Sequence, residues 1–351
     1  MTYLTASTPN LVNAPSHEWA TGSAKPSSLA TLWARKYVST VTESDRAPDS
    51  VDQSLSDFLS PDGRSHTITK LKKILTQASA QGWSLTETLL DGEIARHGIA
   101  PDLVDPWAIA ASSHKVLQKT LDAYLQAVTP QRLSVLIGAD LGQIRHTYTA
   151  VDPRVIGFVS MQFHYTGKYL LERVSPLERS LLLPYLKVID DHLYMPLQRA
   201  YDAAALHSLD SSALRAVQHL LPQTTAIAHA VCNQIYQLYP TYESYSGSLN
   251  STSVRISSLR DVEMFQVYLC LCLLENSIQS VQQELFPLCV MLYPRLRVSW
   301  RLVQEMLHQL KWELHDRLER QDVSVLFPYL HTLMEMFSPE IFVALEAEDS
   351  P

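Results

Sequence analysis

Residues 258–275, SLRDVEMFQVYLCLCLLE, are apolar on nearly every side of a helix after the first turn. A helix without a polar face is normally the buried centre of a bundle. The flanking segments 211–239 and 298–319 repeat apolar residues at helical spacing. The 351 residues include only 10 glycines, which disfavours sandwiches, Rossmann sheets and phosphate-binding loops. The sequence therefore predicts an all-α fold.

The chain divides into four predicted parts. Residues 1–28 are rich in Ser, Thr, Pro and Asn, and we expect a disordered tail. Residues 29–150 form a helical N-terminal region of unknown role, and residues 151–338 form a more strongly patterned helical domain. Residues 339–351 form an acidic tail.

Four local breaks are predicted inside these parts. Residues 43–66 are polar and contain prolines, which is typical of a linker. Gly82 and Gly98 indicate helix breaks, and residues 240–257 are predicted to be a loop of Tyr, Ser, Asn and Gly. The sequence Ser175-Pro176 predicts a helix start with serine as the N-cap and proline at the first helical position.

Composition narrows the possible environments and partners. The net charge of −8 disfavours nucleic acid as a partner, because phosphate neutralisation needs a basic field. The longest apolar run is too short to span a bilayer, so we expect at most peripheral membrane contact. None of the four cysteines belongs to a CxxC motif, which favours a reducing, cytoplasmic compartment and buried packing cysteines.

Three ordered motifs carry a family resemblance. A helix ends in YQLYP at 236–240, LRDVE follows at 259–263 with Tyr268 beyond it, and LRVSW occupies 296–300. Their order and separation resemble the phycobilisome proteins of the phycocyanin and allophycocyanin type, over 211–316 and in a weaker form from residue 154. The resemblance implies a globin-like helical domain over 151–338.

The main departure from the family pattern is Ser258. In the phycobilisome proteins the residue two before the arginine is a cysteine that binds the bilin covalently, so the resemblance implies a lost attachment position. A serine hydroxyl is hardly ionised without an activating base. Cys270 and Cys272 lie about 18 and about 21 Å further along the same helix, too far to replace it. Cys232 is on another helix, at a distance that the sequence does not give.

Arg260 and Asp261 leave two interpretations open. The resemblance implies that Asp261 accepts hydrogen bonds from pyrrole nitrogens and that Arg260 pairs with a propionate, if a tetrapyrrole binds. The structural interpretation places both residues in the first turn of a helix, where Asp261 favours the helix dipole and Arg260 pairs with a nearby carboxylate.

The sequence contains no other convincing site. Asp190, Asp191 and His192 are adjacent on a helix, point in different directions and are predicted to be a solvated face. No metal site and no catalytic residues are predicted.

We predict a non-catalytic binding or assembly protein that holds no bilin or other cofactor. The resemblance links it to the photosynthetic antenna or to the thylakoid of a cyanobacterium-like organism. Its expected partner is a helical protein or a second copy in a dimer, with phycobilisome or photosystem components as the implied candidates. The alternative is a sensor or carrier that binds a bilin or haem non-covalently, and a third possibility is a bilin-modifying enzyme. An open, apolar pocket beside Arg260 and Asp261 favours the alternative, and a filled one favours the assembly role.

Overall fold

The computed structural model describes residues 28–37, 52–338 and 341. Within these ranges almost all of the chain is helical. The helices are α1 (Leu29–Ala34), α2 (Asp52–Leu59), α3 (Pro61–Leu89), α4 (Glu93–Arg96), α5 (Pro106–Leu125), α6 (Pro130–Thr149), α7 (Val155–Leu171), α8 (Pro176–Tyr194), α9 (Leu197–Ala205), α10 (Ser212–Leu220), α11 (Thr224–Leu238), α12 (Thr252–Glu275), α13 (Phe286–Arg295), α14 (Trp300–Arg317) and α15 (Arg320–Met336).

The described strands are two residues each, β1 (Glu243–Ser244) and β2 (Gly247–Ser248), and they form one antiparallel hairpin. Short 3₁₀ turns lie at Pro101–Leu103 and Leu221–Gln223, and a π-helical turn at Val281–Leu285 precedes α13. The predicted all-α fold is confirmed. The predicted tails, apart from residues 28 and 341, lie outside the described residues.

The predicted linker at 43–66 is wrong for its described part, because α2 and the start of α3 occupy residues 52–66. Proline at the first helical position needs no hydrogen-bond partner for its nitrogen, so Pro61 starts α3 instead of interrupting it. The Ser60 side chain caps this helix by accepting a hydrogen bond from the Gly63 N–H at 3.0 Å.

The break predicted at Gly82 is also wrong, since α3 runs through it without interruption. Helix α3 packs along α7 more extensively than any other pair of described elements. A Cβ added at Gly82 would lie only 2.4 Å from Thr166 Oγ1, so this glycine allows the two helices to approach closely. Gly98 is a true break: its φ of +60° lies just after the end of α4.

Helix α12 is the centre of the C-terminal half, as the sequence predicted. It packs against α9, α10, α11 and α15, and residues 262–274 are all buried. It begins at Thr252, six residues before the predicted start, so the predicted loop at 240–257 is shorter and contains the hairpin.

Helix α8 connects the two halves of the molecule. It starts with the predicted Ser175 cap, which is a full capping box because Glu178 returns a hydrogen bond to the Ser175 N–H. It packs against α6 and α7 and also contacts α12. Its last two turns therefore carry residues 190–192 into the interior. No described helix is long and apolar enough to cross a membrane.

Candidate ligand cleft

A cleft of about 860 Å³ lies between the N-terminal and C-terminal halves of the chain. Its walls are α7 and α8 on one side and α11, α12 and α14 on the other. The hairpin loop and Leu32, Arg35 and Lys36 also contribute to the lining. Most of the lining is aliphatic or aromatic, with a small set of charged groups along α8 and α12. Size and chemistry match those of sites for organic ligands in proteins.

The three residues predicted for the site come together at this cleft. Ser258, Arg260 and Asp261 all line it. Because α12 starts at Thr252, Arg260 and Asp261 lie in its third turn and not in its first. The predicted interaction with the helix dipole is therefore wrong, since that effect is confined to the terminal turn.

Arg260 is buried without a complete set of hydrogen bonds. Its guanidinium carbon lies 3.7 Å from the ring centroid of Tyr194, in a cation–π contact. Its nitrogens lie 3.6 Å from Asp190 Oδ2 and 3.8 Å from Asp261 Oδ1, both beyond hydrogen-bond distance. Its Nε has no hydrogen-bond partner among the described residues. A buried guanidinium of this kind is a ready donor for a carboxylate.

Asp261 borders the same space, with about a quarter (26%) of its side chain exposed. Burial raises the pKa of its carboxyl group to about 6, although the charge of Arg260 acts in the opposite direction. Near neutral pH this carboxyl can therefore exist in both protonation states. It can accept a hydrogen bond from a ligand N–H or donate one to a ligand oxygen.

Asp190 links two walls of the cleft. Its Oδ2 lies 3.1 Å from His164 Nδ1 on α7 and faces Arg260 on α12. Asp191 and His192, by contrast, are 0% and 2% exposed. The predicted solvated face is therefore wrong, because α8 is enclosed on several sides and has little surface left for water.

Four charged side chains form what we call the α8–α12 charge cluster: Lys36, Lys187, Asp191 and Glu263. Lys36 Nζ lies 2.7 Å from Glu263 Oε2 and 3.0 Å from Asp191 Oδ2. Lys187 Nζ lies 3.0 Å from Asp191 Oδ1 and 3.5 Å from Glu263 Oε2. All four line the cleft, and their charges cancel.

Hydrogen bonds complete this cluster. Tyr37 donates to Asp191 Oδ2 at 2.7 Å, and Thr225 donates to Glu263 Oε1 at 2.6 Å. Burial acts to raise the pKa of both carboxyl groups, but the two lysines, together with Tyr37 in the case of Asp191, keep the pKa values of Asp191 and Glu263 below their usual ranges. Burial lowers the pKa of Lys36. Both carboxyl groups are therefore ionised and paired in the folded chain.

All four cysteines are buried and free, as predicted. Cys232 on α11 also lines the cleft, which the sequence did not reveal. Burial raises the pKa of its thiol to about 12, so the thiolate is scarce at neutral pH. No group of three potential metal ligands occurs among the described side chains.

Sequence reasoning missed the charge cluster. Lys36 and Glu263 are 227 positions apart, and no local sequence motif predicts that they form an ion pair. The one local signal was the spacing of Lys187 and Asp191, which are four positions apart on α8.

The described residues form an almost entirely helical fold with a large, partly charged cleft. Residues 190–336 match the family described as Phycobilisome protein, which confirms the resemblance predicted from the three motifs. This part of the chain is thus phycobilisome-protein-like, and it extends to both sides of the predicted core at 211–316. Searches of curated proteins and of solved structures gave no significant match.

Proposed function

We propose that this phycobilisome-related protein binds a tetrapyrrole, a bilin or a haem, without a covalent bond. The observation that carries the proposal is the buried, incompletely hydrogen-bonded Arg260 beside Asp261 at the wall of an 860 Å³ cleft. A guanidinium in this state costs folding free energy unless a ligand completes its hydrogen bonds.

The chemistry of the cleft suits a tetrapyrrole. Such a ligand is flat and largely apolar, and it carries carboxylate groups and pyrrole nitrogens. The aromatic and aliphatic lining can pack against the edges and faces of the tetrapyrrole rings. Arg260 offers a forked donor for a carboxylate, and Asp261 offers an acceptor for the pyrrole N–H groups. The open pocket is the feature that favours this alternative over a bilin-free assembly protein.

Attachment through sulfur is disfavoured in two ways. At the family's attachment position, Ser258 has an oxygen in place of the sulfur. Cys232 lies on α11, on the same side of the cleft as Ser258, but burial keeps it in the unreactive thiol form. We therefore expect binding, and not catalysis or covalent modification, to be the activity of the cleft.

Spectroscopy tests this proposal. The purified chain is titrated with biliverdin and with haemin, and the visible absorption and the quenching of tryptophan fluorescence are recorded. We expect saturable binding of at least one pigment at a 1:1 ratio, and complete release of the pigment in acidic urea. Absence of saturable binding of both pigments contradicts the proposal, and pigment that stays on the unfolded chain contradicts its non-covalent form.

A second candidate is the assembly role, which the surface favours. Trp107, Leu206 and Trp312 are 85%, 88% and 70% exposed, and exposed aromatic and aliphatic groups commonly mark protein contacts. The partner is then a second copy or a helical protein of the antenna, at the cytoplasmic face of the thylakoid. Light scattering after size exclusion, and capture of isolated phycobilisome and photosystem components, test this role. A monomer that captures neither is evidence against it.

A further inference from the structure

We propose that residues 28–37, which lie outside the family match, set the charge of the ligand that the cleft accepts, and that Lys36 is the residue responsible. This inference rests on the proposed ligand-binding function and adds a determinant of specificity to it. The segment consists of the N-cap Ser28, α1 and the three residues that follow, and its Leu32, Arg35 and Lys36 form part of the cleft wall.

The charges of the lining show why this segment matters. Among the residues that the structure describes, five cationic side chains line the cleft: Arg35, Lys36, Lys168, Lys187 and Arg260. Four acidic side chains of the described residues also line it: Asp190, Asp191, Asp261 and Glu263. The described lining therefore carries a small positive excess. Without Arg35 and Lys36, three cations face four carboxyl groups, and the sign of the excess is reversed.

Lys36 contacts two carboxylates that lie close to Arg260 in the chain or through Asp190. Glu263 follows Arg260 by three positions on α12, so the two side chains are neighbours on one helix face. Asp191 directly follows Asp190, which itself faces Arg260. The Lys36 ammonium group touches both Glu263 and Asp191, whose side chains are 1% and 0% exposed. In this water-poor setting an uncompensated carboxylate repels an anionic ligand over several ångströms.

The segment holds Lys36 in one position. Leu29, Trp33 and Tyr37 are at most 5% exposed, so they anchor the segment on both sides of the lysine. The Lys36 ammonium group lies 3.7 Å from the ring centroid of Trp33, and the Tyr37 hydroxyl is bonded to Asp191. The charge is thus placed by packing and does not depend on the ligand.

Two probes with the same tetrapyrrole skeleton and different charge test the inference: biliverdin, a dicarboxylate, and its neutral dimethyl ester. The Lys36→Met variant keeps the aliphatic stem and removes the charge. We expect it to bind biliverdin about tenfold more weakly than the wild type, from the loss of one buried charge. Its affinity for the ester should stay within about twofold of the wild-type value.

A second variant separates charge from packing. Adding Glu263→Gln to Lys36→Met restores the neutrality of the cluster, so biliverdin affinity should return to within about threefold of the wild type. The matched control is Lys72→Met, which removes a half-exposed lysine that pairs with Asp122 outside the cleft. It should leave both affinities unchanged. Circular dichroism confirms that each variant is folded.

Each outcome decides the inference. Selective loss of biliverdin affinity in Lys36→Met with recovery in the double variant supports it. Equal weakening of both probes, or no recovery, overturns it and assigns Lys36 a packing role, while the proposed function stands because the wild type still binds. Failure of the wild type to bind either probe overturns the inference together with the proposed function.

Discussion

Two groups of buried charge lie within one turn of each other on α12, and they differ in how fully they are paired. In the α8–α12 charge cluster, Glu263 and Asp191 each contact both lysines and also accept a hydrogen bond from a neutral hydroxyl. Arg260 and Asp261 have only distant charge contacts with each other and with Asp190. Both groups border the same cleft, so burial alone does not explain the difference.

The contrast assigns different tasks to the two groups. A fully paired cluster joins elements that are distant in sequence, here residue 36, α8 and α12, and its loss leaves charges buried without partners. An incompletely paired group stabilises the empty protein little, because its desolvation is not compensated. We expect the first group to govern the stability of the fold, with Lys36 also setting the charge that a ligand meets, and the second group to bind the ligand directly.

The largest effect is expected from Asp191→Ala. The substitution leaves two lysines with a single shared carboxylate and removes the acceptor for the Tyr37 hydroxyl. We expect the free energy of unfolding to fall by about 3–5 kcal/mol, the usual cost of breaking a buried ion pair. Urea denaturation followed by circular dichroism measures it.

Asp122→Ala is the matched control, because Asp122 forms an ion pair with Lys72 in which both side chains are well exposed. Its effect should be no more than about 1 kcal/mol. If the two substitutions cost the same, the charge cluster has no special part in stability, and the contrast between the two groups is lost.

Arg260→Met should show the opposite behaviour. The empty protein loses a cation–π contact and distant charge contacts, so its unfolding free energy should change by about 1 kcal/mol or less. Affinity for biliverdin should fall about 30- to 100-fold, because the donor for the ligand carboxylate is gone. Fluorescence titration measures the affinity. A variant that is strongly destabilised, or that binds like the wild type, is evidence for a structural role of Arg260.

The pH dependence of stability separates the two groups by sign. The pKa of Asp261 is raised to about 6, so the unfolded chain releases this proton near pH 4 whereas the folded chain keeps it until about pH 6. The contribution of Asp261 to the stability of the folded chain is therefore fully present below about pH 4 and is lost as the pH rises to about 6. The pKa values of Asp191 and Glu263 are lowered, so their contributions are present above about pH 4 and are lost on acidification.

Comparison of the wild type with Asp261→Asn isolates the contribution of Asp261 to stability, because the other titratable groups are the same in both proteins. The stability of the wild type relative to this variant should fall by about 2 kcal/mol between pH 4 and pH 6. Urea denaturation at a series of pH values measures the difference. A flat difference means that Asp261 has an ordinary pKa and is not held in a ligand-ready environment.

The sequence predicted the parts of this molecule that depend on local pattern. Helical periodicity, the Ser175 cap and the continuous apolar stretch of α12 determine most helices and the identity of the central one. Gly82 and Pro61 were misinterpreted because a residue that usually ends a helix can also permit close packing or occupy its first position. Which of these roles applies is decided by neighbours that are distant in sequence.

For the site, too, only the part that depends on local sequence could be predicted. The motif around Arg260 and Asp261 identified one wall of the cleft, since the family resemblance assigned roles to those positions. The charge cluster was not predictable, because Lys36, Asp191 and Glu263 meet only after three separate segments have packed. Likewise, the burial of His192 follows from the enclosure of α8, and no feature of its own helix indicates it.

The smallest energetic effect, with the clearest chemical result, is expected from Ser258→Cys. Ser258 lines the cleft beside Arg260 and Asp261, so the variant places a sulfur at the position where the family binds its pigment. Stability should change by no more than about 0.5 kcal/mol, since oxygen and sulfur differ little at a partly exposed position. With a bilin that carries an ethylidene group, the S–H bond adds across the double bond: sulfur binds one carbon and the proton goes to its neighbour, without an oxidant.

Denaturing electrophoresis with zinc-induced fluorescence measures this reaction. The pigment should stay on the Ser258→Cys polypeptide and leave the wild-type one. Ser253→Cys is the matched control on the same helix, about 7.5 Å towards its start, and should retain less pigment. Pigment retained by the wild type would instead identify Cys232 as the attachment point. If neither chain retains pigment, the bound ligand does not bring its reactive carbon to Ser258, and the family's binding geometry is not conserved in this cleft.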